Sequence, residues 1–229
     1  MTELFQYRTC ADAVVAAGDY LAKQLSESEG NLTLLLAGGS CLNAVRQAVK
    51  ELDDSVLGRI HLAQIDERVV PPDDPASNWL QIKDSVGAKL NKFASALPMV
   101  PSVEEPDDLA ISYEMQLMGL LETADETIGV YGIGEDGHIA GMLSTPDPGE
   151  FTQFLDGRLV VGFEGRDFTR LTTTAALLTK LSEIVLLTCG PAKVKAVEKI
   201  NLELAPHKHP AQLLKDASRV SLFVGEELA

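Results

Sequence analysis

Three short apolar runs each end at glycine and lead toward a stretch with helical spacing, and this alternation constrains the fold more than any other feature of the chain. Residues 32–37 run into Gly38-Gly39-Ser40, residues 127–132 into Gly134, and residues 184–189 into Gly190. Runs of about six apolar residues with no polar alternation are the mark of strands buried on both faces, as in a parallel sheet covered by helices. The spacing therefore predicts an α/β sandwich of three layers, with a mostly parallel, Rossmann-like sheet and helices on both faces. At 229 residues, a single domain spanning 1–229 is expected.

The remaining elements follow from periodicity and breakers. Val14, Ala17, Leu21 and Leu25 place a helix over residues 12–28. Ser40 stands where it can cap a helix that aligns Val45, Ala48, Val49 and Leu52 on one face. Residues 60–65 read as a second strand. Pro71-Pro72-Asp73-Asp74-Pro75 excludes regular structure, so a loop is expected over 66–77 and a helix from 78 to 93. Pro98, Pro101 and Pro106 break the chain before a helix at 109–121. Residues 132–148 read as loop or helix start and 159–163 as a strand. A helix is expected around 173–181, another over 191–201 and a last strand at 220–224.

Charge narrows the function classes. Nineteen basic residues face 34 acidic ones, a net charge of −15. Such a surface repels phosphate backbones and anionic lipid, so neither nucleic acid nor membrane is an expected partner. If the ligand is itself an anion, the few cations must be gathered at its site. No run of 18 apolar residues and no signal peptide is visible. Cys10, Cys41 and Cys189 are odd in number and far apart. No disulfide framework or thiolate zinc site is expected, and a reducing cytoplasm is the expected setting. The four histidines lack HExxH spacing, so neither a metal nor another cofactor is expected. A monomer or a homodimer fits equally well.

In doubly wound sheets, ligands bind beyond the carboxyl ends of the strands. Four loops start there. Gly38-Gly39-Ser40 lets the backbone approach a phosphate at a helix start, or makes an ordinary tight turn. Asp66-Glu67-Arg68 offers a guanidinium fork for an oxyanion; alternatively Arg68 pairs with Asp66, Glu67 or Asp73 at the surface. In Gly132-Ile133-Gly134-Glu135-Asp136-Gly137-His138, the imidazole can serve as a general base, oriented by Asp136 or Glu135, or be merely solvated. Lys193 in Gly190-Pro191-Ala192-Lys193 opposes the helix dipole, as an anion site would explain, or is a solvated lysine like Lys195 and Lys199. Arg170 is a further candidate. His207 and His209 read as surface residues.

Six stretches in this order, LLLAGGS, IDERVVPPDDPASNW, VYGIGEDGHIAGM, RLTTTAALL, LTCGPAKVKAV and HPAQLL, span residues 34–214. They resemble the 6-phosphogluconolactonases of the pentose phosphate pathway and their superfamily neighbours, the glucosamine-6-phosphate deaminases. Leu143 stands where the deaminases carry a catalytic glutamate, and Arg68 where they tend to carry an aromatic residue. Ile139-Ala140 is deaminase-like, Cys41-Leu42 replaces Thr-Pro, and Gly225 replaces an aspartate found in many relatives. The resemblance implies a small sugar-phosphate lactone as substrate and no cofactor. It implies that His138 activates water, with Asp136 fixing the imidazole or contacting sugar hydroxyls. Gly38, Gly39, Ser40, Asp66, Arg68, Arg170 and Lys193 would bind the substrate, with its phosphate on the Gly-Gly-Ser backbone, Arg68 and Lys193. A deaminase-like enzyme or a non-catalytic sugar-phosphate binder is the alternative.

Overall fold

The computed structural model describes residues 2–102 and 104–227; Met1, Val103, Leu228 and Ala229, which the single-domain expectation includes, lie outside the described residues. In chain order, β1 (Thr2–Thr9) leads into α1 (Cys10–Glu27), β2 (Leu32–Leu36), α2 (Leu42–Glu51) and the one-turn α3 (Asp54–Leu57). Then come β3 (Ile60–Gln64), β4 (Asp66–Arg68), α4 (Asn78–Val86), β5 (Ser95–Leu97), α5 (Pro106–Thr123) and β6 (Glu126–Tyr131). The last part holds α6 (Pro148–Phe151), β7 (Val160–Glu164), β8 (Thr169–Thr173), α7 (Ala175–Leu178), β9 (Glu183–Cys189), α8 (Pro191–Glu198) and β10 (Val220–Glu227).

Seven strands form one sheet in the order β1-β10-β9-β6-β2-β3-β5, with every neighbouring pair parallel. Helices cover both sides, as the apolar runs predict. All five residues of β2 are buried, which is why its sequence shows no polar alternation. From β2 the chain adds strands outward through β3 and β5, then returns to β6 on the other side of β2 and continues outward through β9 and β10. The direction of winding thus reverses between β2 and β6, which opens a crevice at their carboxyl ends. No helix among the described residues is long and apolar enough to cross a membrane.

Several expectations are corrected. A second, antiparallel sheet of order β4-β8-β7 stands at the carboxyl end of β3. Its strand β4 takes the first three residues of the expected 66–77 loop. The helix expected around 173–181 is reduced to the four residues of α7, because Thr169–Thr173 is strand β8. Strands β1 and β5 were not expected either, since both are partly exposed and draw their order from parallel neighbours. The helix expected at 109–121 starts earlier, at Pro106, which opens α5 where its missing N–H costs nothing. The helix from residue 78 stops at Val86, and Gly87, at φ +56°, starts a separate 3-10 segment. The expected 191–201 helix ends at Glu198 and tightens to 3-10 geometry over Lys199–Asn201. Ser40 is exposed and caps nothing; α2 starts after Cys41 without a side-chain cap.

The cysteine expectation is also overturned: Cys10 and Cys189 form a disulfide, with 5.3 Å between their Cα atoms. Their 179-residue separation hides the pairing in the sequence. Strand order makes it: β10 lies between β1 and β9, and Gly225 of β10 is in register with both Tyr7 and Cys189. A Cβ at Gly225 would come within 2.6 Å of the Cys10 Cα, so the missing side chain lets the start of α1 fold over β10 to reach Cys189. Closing so long a loop restricts the unfolded chain. Cys10→Ser is therefore expected to lower the unfolding free energy of oxidised protein by about 2–4 kcal/mol in urea titrations. With dithiothreitol present, variant and parent should unfold together; a gap that persists under reduction would mean the loss comes from packing.

Candidate active site

The four glycine- or arginine-bearing loops converge on one cleft of about 370 Å³ at the reversal between β2 and β6. Gly38, Gly39, Ser40, Asp66, Arg68, His138, Arg170 and Lys193 all line it. Asp136 does not; it sits behind His138. Glu135 lines the cleft in its place, as do Ala140, already marked as deaminase-like, and Asn78 and Gln81, to which motif reading gave no role.

The His138 loop is built around two imidazole rings. Gly137 is at φ +87°, and a Cβ there would fall 1.9 Å from His209, whose ring packs directly behind the loop. His209 is only 2% exposed, which corrects the expectation of a surface residue, and burial holds its pKa below the usual imidazole range. His207 is partly exposed, and its backbone carbonyl accepts from the Thr145 N–H. The Asp136 carboxylate contacts His138 Nδ1 at 2.6 Å and accepts from the Ser144 hydroxyl at 2.6 Å. Partial burial pulls the Asp136 pKa upward, but the Ser144 hydrogen bond and the His138 imidazole together hold it below the usual carboxylate range. An ionised carboxylate on Nδ1 fixes the tautomer with the proton on Nδ1 and the lone pair on Nε2. Asp136 thus holds the His138 ring by one oxygen and the Ser144 hydroxyl by the other. Ala140, at φ +54°, is held in a conformation unfavourable for a residue with a Cβ, while the Gly141 N–H beside it donates to Thr172 at 2.9 Å.

Across the cleft, β4 and β8 present a charged face. Register sets Asp66 opposite Thr172 and Arg68 opposite Arg170. Among the described residues Arg68 forms no ion pair; its Nη1 donates to the Ala76 carbonyl at 2.6 Å. Arg170, 8% exposed, donates through Nη2 to both oxygens of Asp167 at 2.9 Å. The Nε atoms of both arginines are buried without a partner among the described residues. Lys193, third residue of α8, completes the cationic set, and no carboxylate pairs with it among the described residues.

The Gly-Gly-Ser turn is less open than its motif implies. The Gly39 N–H already donates to Gln81 Oε1 at 2.9 Å. Glu67, considered in the sequence only as a partner for Arg68, is a buried keystone. Its carboxylate accepts from the Gln64 side chain, the Ser77 hydroxyl, and the N–H groups of Arg68, Asn78 and Trp79. The signal was present as an acidic residue ten positions before Ser77-Asn78, where a helix start needs an acceptor.

Asp66 accepts from Asn78 Nδ2 at 3.0 Å. Burial pushes its carboxyl up to about 6; Arg68 and Arg170 pull it down, Glu67 pushes it further up. The folded protein therefore holds this proton more tightly than the unfolded chain, whose carboxyl titrates near 3.9. Asp66 costs nothing below that range, and its destabilising effect grows as pH rises through about 6. Relative to the parent, Asp66→Asn should gain stability between about pH 4 and 6, read from urea midpoints across that range. Parallel midpoint curves would show that Asp66 titrates normally.

The chain matches the family model described as glucosamine-6-phosphate isomerases/6-phosphogluconolactonase over residues 8–223. It is 26% identical over 194 residues to 6-phosphogluconolactonase 3, chloroplastic, of Arabidopsis thaliana, covering 78% of this chain but 58% of that protein. It is 25% identical over 195 residues to a 6-phosphogluconolactonase of Nostoc sp., covering 82% of this chain and 78% of that one. The fold superimposes on the crystal structure of a 6-phosphogluconolactonase from Shewanella baltica with a TM-score of 0.83 at 21% identity, over 98% of each chain. Its glycine-bearing strand ends, its parallel sheet and a match over nearly its whole length place one assignment beyond argument: the chain belongs to the glucosamine-6-phosphate isomerase/6-phosphogluconolactonase family.

Proposed function

We propose that this protein hydrolyses 6-phosphogluconolactone to 6-phosphogluconate. The observation that carries this reading is the pairing, across one cleft, of an oriented imidazole with a cluster of cations in a chain of net charge −15. His138 Nε2 takes a proton from water as the oxygen attacks the lactone carbonyl carbon. The tetrahedral oxyanion is stabilised by backbone N–H groups of the glycine loops or by a cation of the cleft. Collapse breaks the bond to the ring oxygen, which leaves with the proton carried by His138. The product is the open-chain acid, and the imidazole returns to its neutral form. Arg68, Arg170 and Lys193 hold the phosphate. The Gly38–Ser40 turn contributes backbone donors, the Gly39 N–H becoming available when Gln81 turns aside. Asp66 contacts the sugar hydroxyls. A lactone is already an activated ester, so modest acceleration over spontaneous hydrolysis suffices.

The deaminase alternative lacks its glutamate. Leu143 occupies that position and lines a neighbouring groove rather than this cleft. Lactone made freshly by glucose-6-phosphate dehydrogenase, followed against its spontaneous rate, tests the proposal. Ammonia release from glucosamine 6-phosphate, with no lactone turnover, would reverse it.

His138→Ala is expected to lower kcat at least about 10²-fold with little change in KM, the scale of a lost general base. Near-normal turnover would remove His138 from that role. For the clamp, Arg68→Lys keeps the charge and loses the fork, so kcat/KM should fall by about 1–3 kcal/mol in free-energy terms. Lys193→Ala should raise KM for the phosphorylated lactone while leaving rates on unphosphorylated gluconolactone near the parent's. Equal losses on both lactones would separate these residues from the phosphate.

A further inference from the structure

We propose that Phe168 is the positioning residue of the arginine pair, the aromatic wedge that holds Arg68 and Arg170 in place for an anion. This rests on the reading that the two arginines bind the substrate phosphate, and it extends that reading to a residue no motif marks.

Arg68 and Arg170 face each other directly across the β4–β8 ladder. Like charges in that arrangement repel, and without restraint the two guanidinium groups would splay toward water. Among the described residues each guanidinium is hydrogen-bonded at one edge, Arg68 to the Ala76 carbonyl and Arg170 to Asp167. Both also adjoin the Phe168 ring. Its centroid lies 5.9 Å from the Arg68 Cζ and 5.9 Å from the Arg170 Cζ, within cation–π range of both. Phe168 immediately precedes β8, two residues before Arg170. The turn leading into β8 fixes the ring's backbone: the Gly165 N–H donates to the Phe168 carbonyl at 2.9 Å, and the Phe168 N–H to Asp167 Oδ1 at 3.0 Å.

The unpartnered, buried Nε atoms of both arginines give this arrangement its meaning. Donors withdrawn from water and left unpaired carry a desolvation cost, and they interact strongly with an anion that reaches the pair. Phe168 does not line the cleft. It acts through the arginines, setting their separation and excluding water from one side.

The test compares Phe168→Leu and Phe168→Tyr on freshly made 6-phosphogluconolactone and on unphosphorylated gluconolactone, with inorganic phosphate as competitive inhibitor. Phe168→Leu should raise both KM for the phosphorylated lactone and Ki for phosphate about fivefold, the effect of losing two weak cation–π contacts. Turnover at saturation and rates on the unphosphorylated lactone should stay within about twofold, and Phe168→Tyr should restore the parent values. If Phe168→Leu does not fold, Phe168→Met makes the same comparison. Unchanged phosphate affinity in the leucine variant overturns the proposal, as does an equal loss on both lactones or a tyrosine variant no better than leucine. Arg68→Ala runs beside them. If it too leaves phosphate inhibition unchanged, the clamp reading fails and takes Phe168 with it; if it weakens inhibition while Phe168→Leu does not, the Phe168 assignment alone fails.

Discussion

The Glu67 carboxylate, buried beneath the start of α4, accepts hydrogen bonds from a side chain of β3, from the backbone of β4, and from the cap and first two N–H groups of the helix. Much of the cleft's geometry hangs on this point. A helix start has orphan donors that must be satisfied, and satisfying them with an acceptor from the strand end fixes α4 against β4. Asn78, thereby placed, reaches Asp66 with its amide and presses so close to Gly38 that a side chain there would collide with it. One turn further on, Gln81 reaches the Gly39 N–H. Two of the four loops are thus registered against each other through a residue that does not itself line the cleft.

Electrostatics then decides what the cleft favours. With an excess of fifteen negative charges, the molecule as a whole repels an anionic sugar phosphate. The local arrangement counters this by drawing cations from three separate segments: Arg68 from β4, Arg170 from β8 and Lys193 from α8. Asp66 sits among them, and burial disfavours its charged form. Burial lets this carboxyl keep its proton to higher pH than an exposed one would, so it neutralises the arginines least below about pH 6.

Legibility in the sequence tracks locality. Strands β2, β6 and β9 were readable because both their faces are buried, so the apolar run carries the information by itself. The four loops were readable because glycines and charged residues at strand ends are locally unusual. Strands β4 and β8 were not, because three charged residues and a threonine-rich segment become strands only by pairing with each other. The Cys10–Cys189 bond was hidden for the same reason: it depends on a strand order that no local pattern encodes. Glu67, Asn78, Gln81 and Ser144 escaped because their roles are contacts with particular partners up to 42 residues away, and a motif names residue types rather than partners.

The same distinction separates the two histidines of the His138 loop region. His138 reads as functional because it stands among glycines, yet its orientation comes from Asp136 and Ser144 within a few residues. His209 reads as surface because prolines and lysines surround it, yet its ring fills the space behind Gly137. The Ala211 N–H donates to the Gly137 carbonyl and ties the 209–211 segment to the loop from the far side. Burial disfavours the protonated form of the imidazole there, which would need a counter-charge. The position of the His138 ring in the cleft is therefore set from both sides. The carboxylate of Asp136 fixes its nitrogen, and His209 fills the space behind its backbone at Gly137.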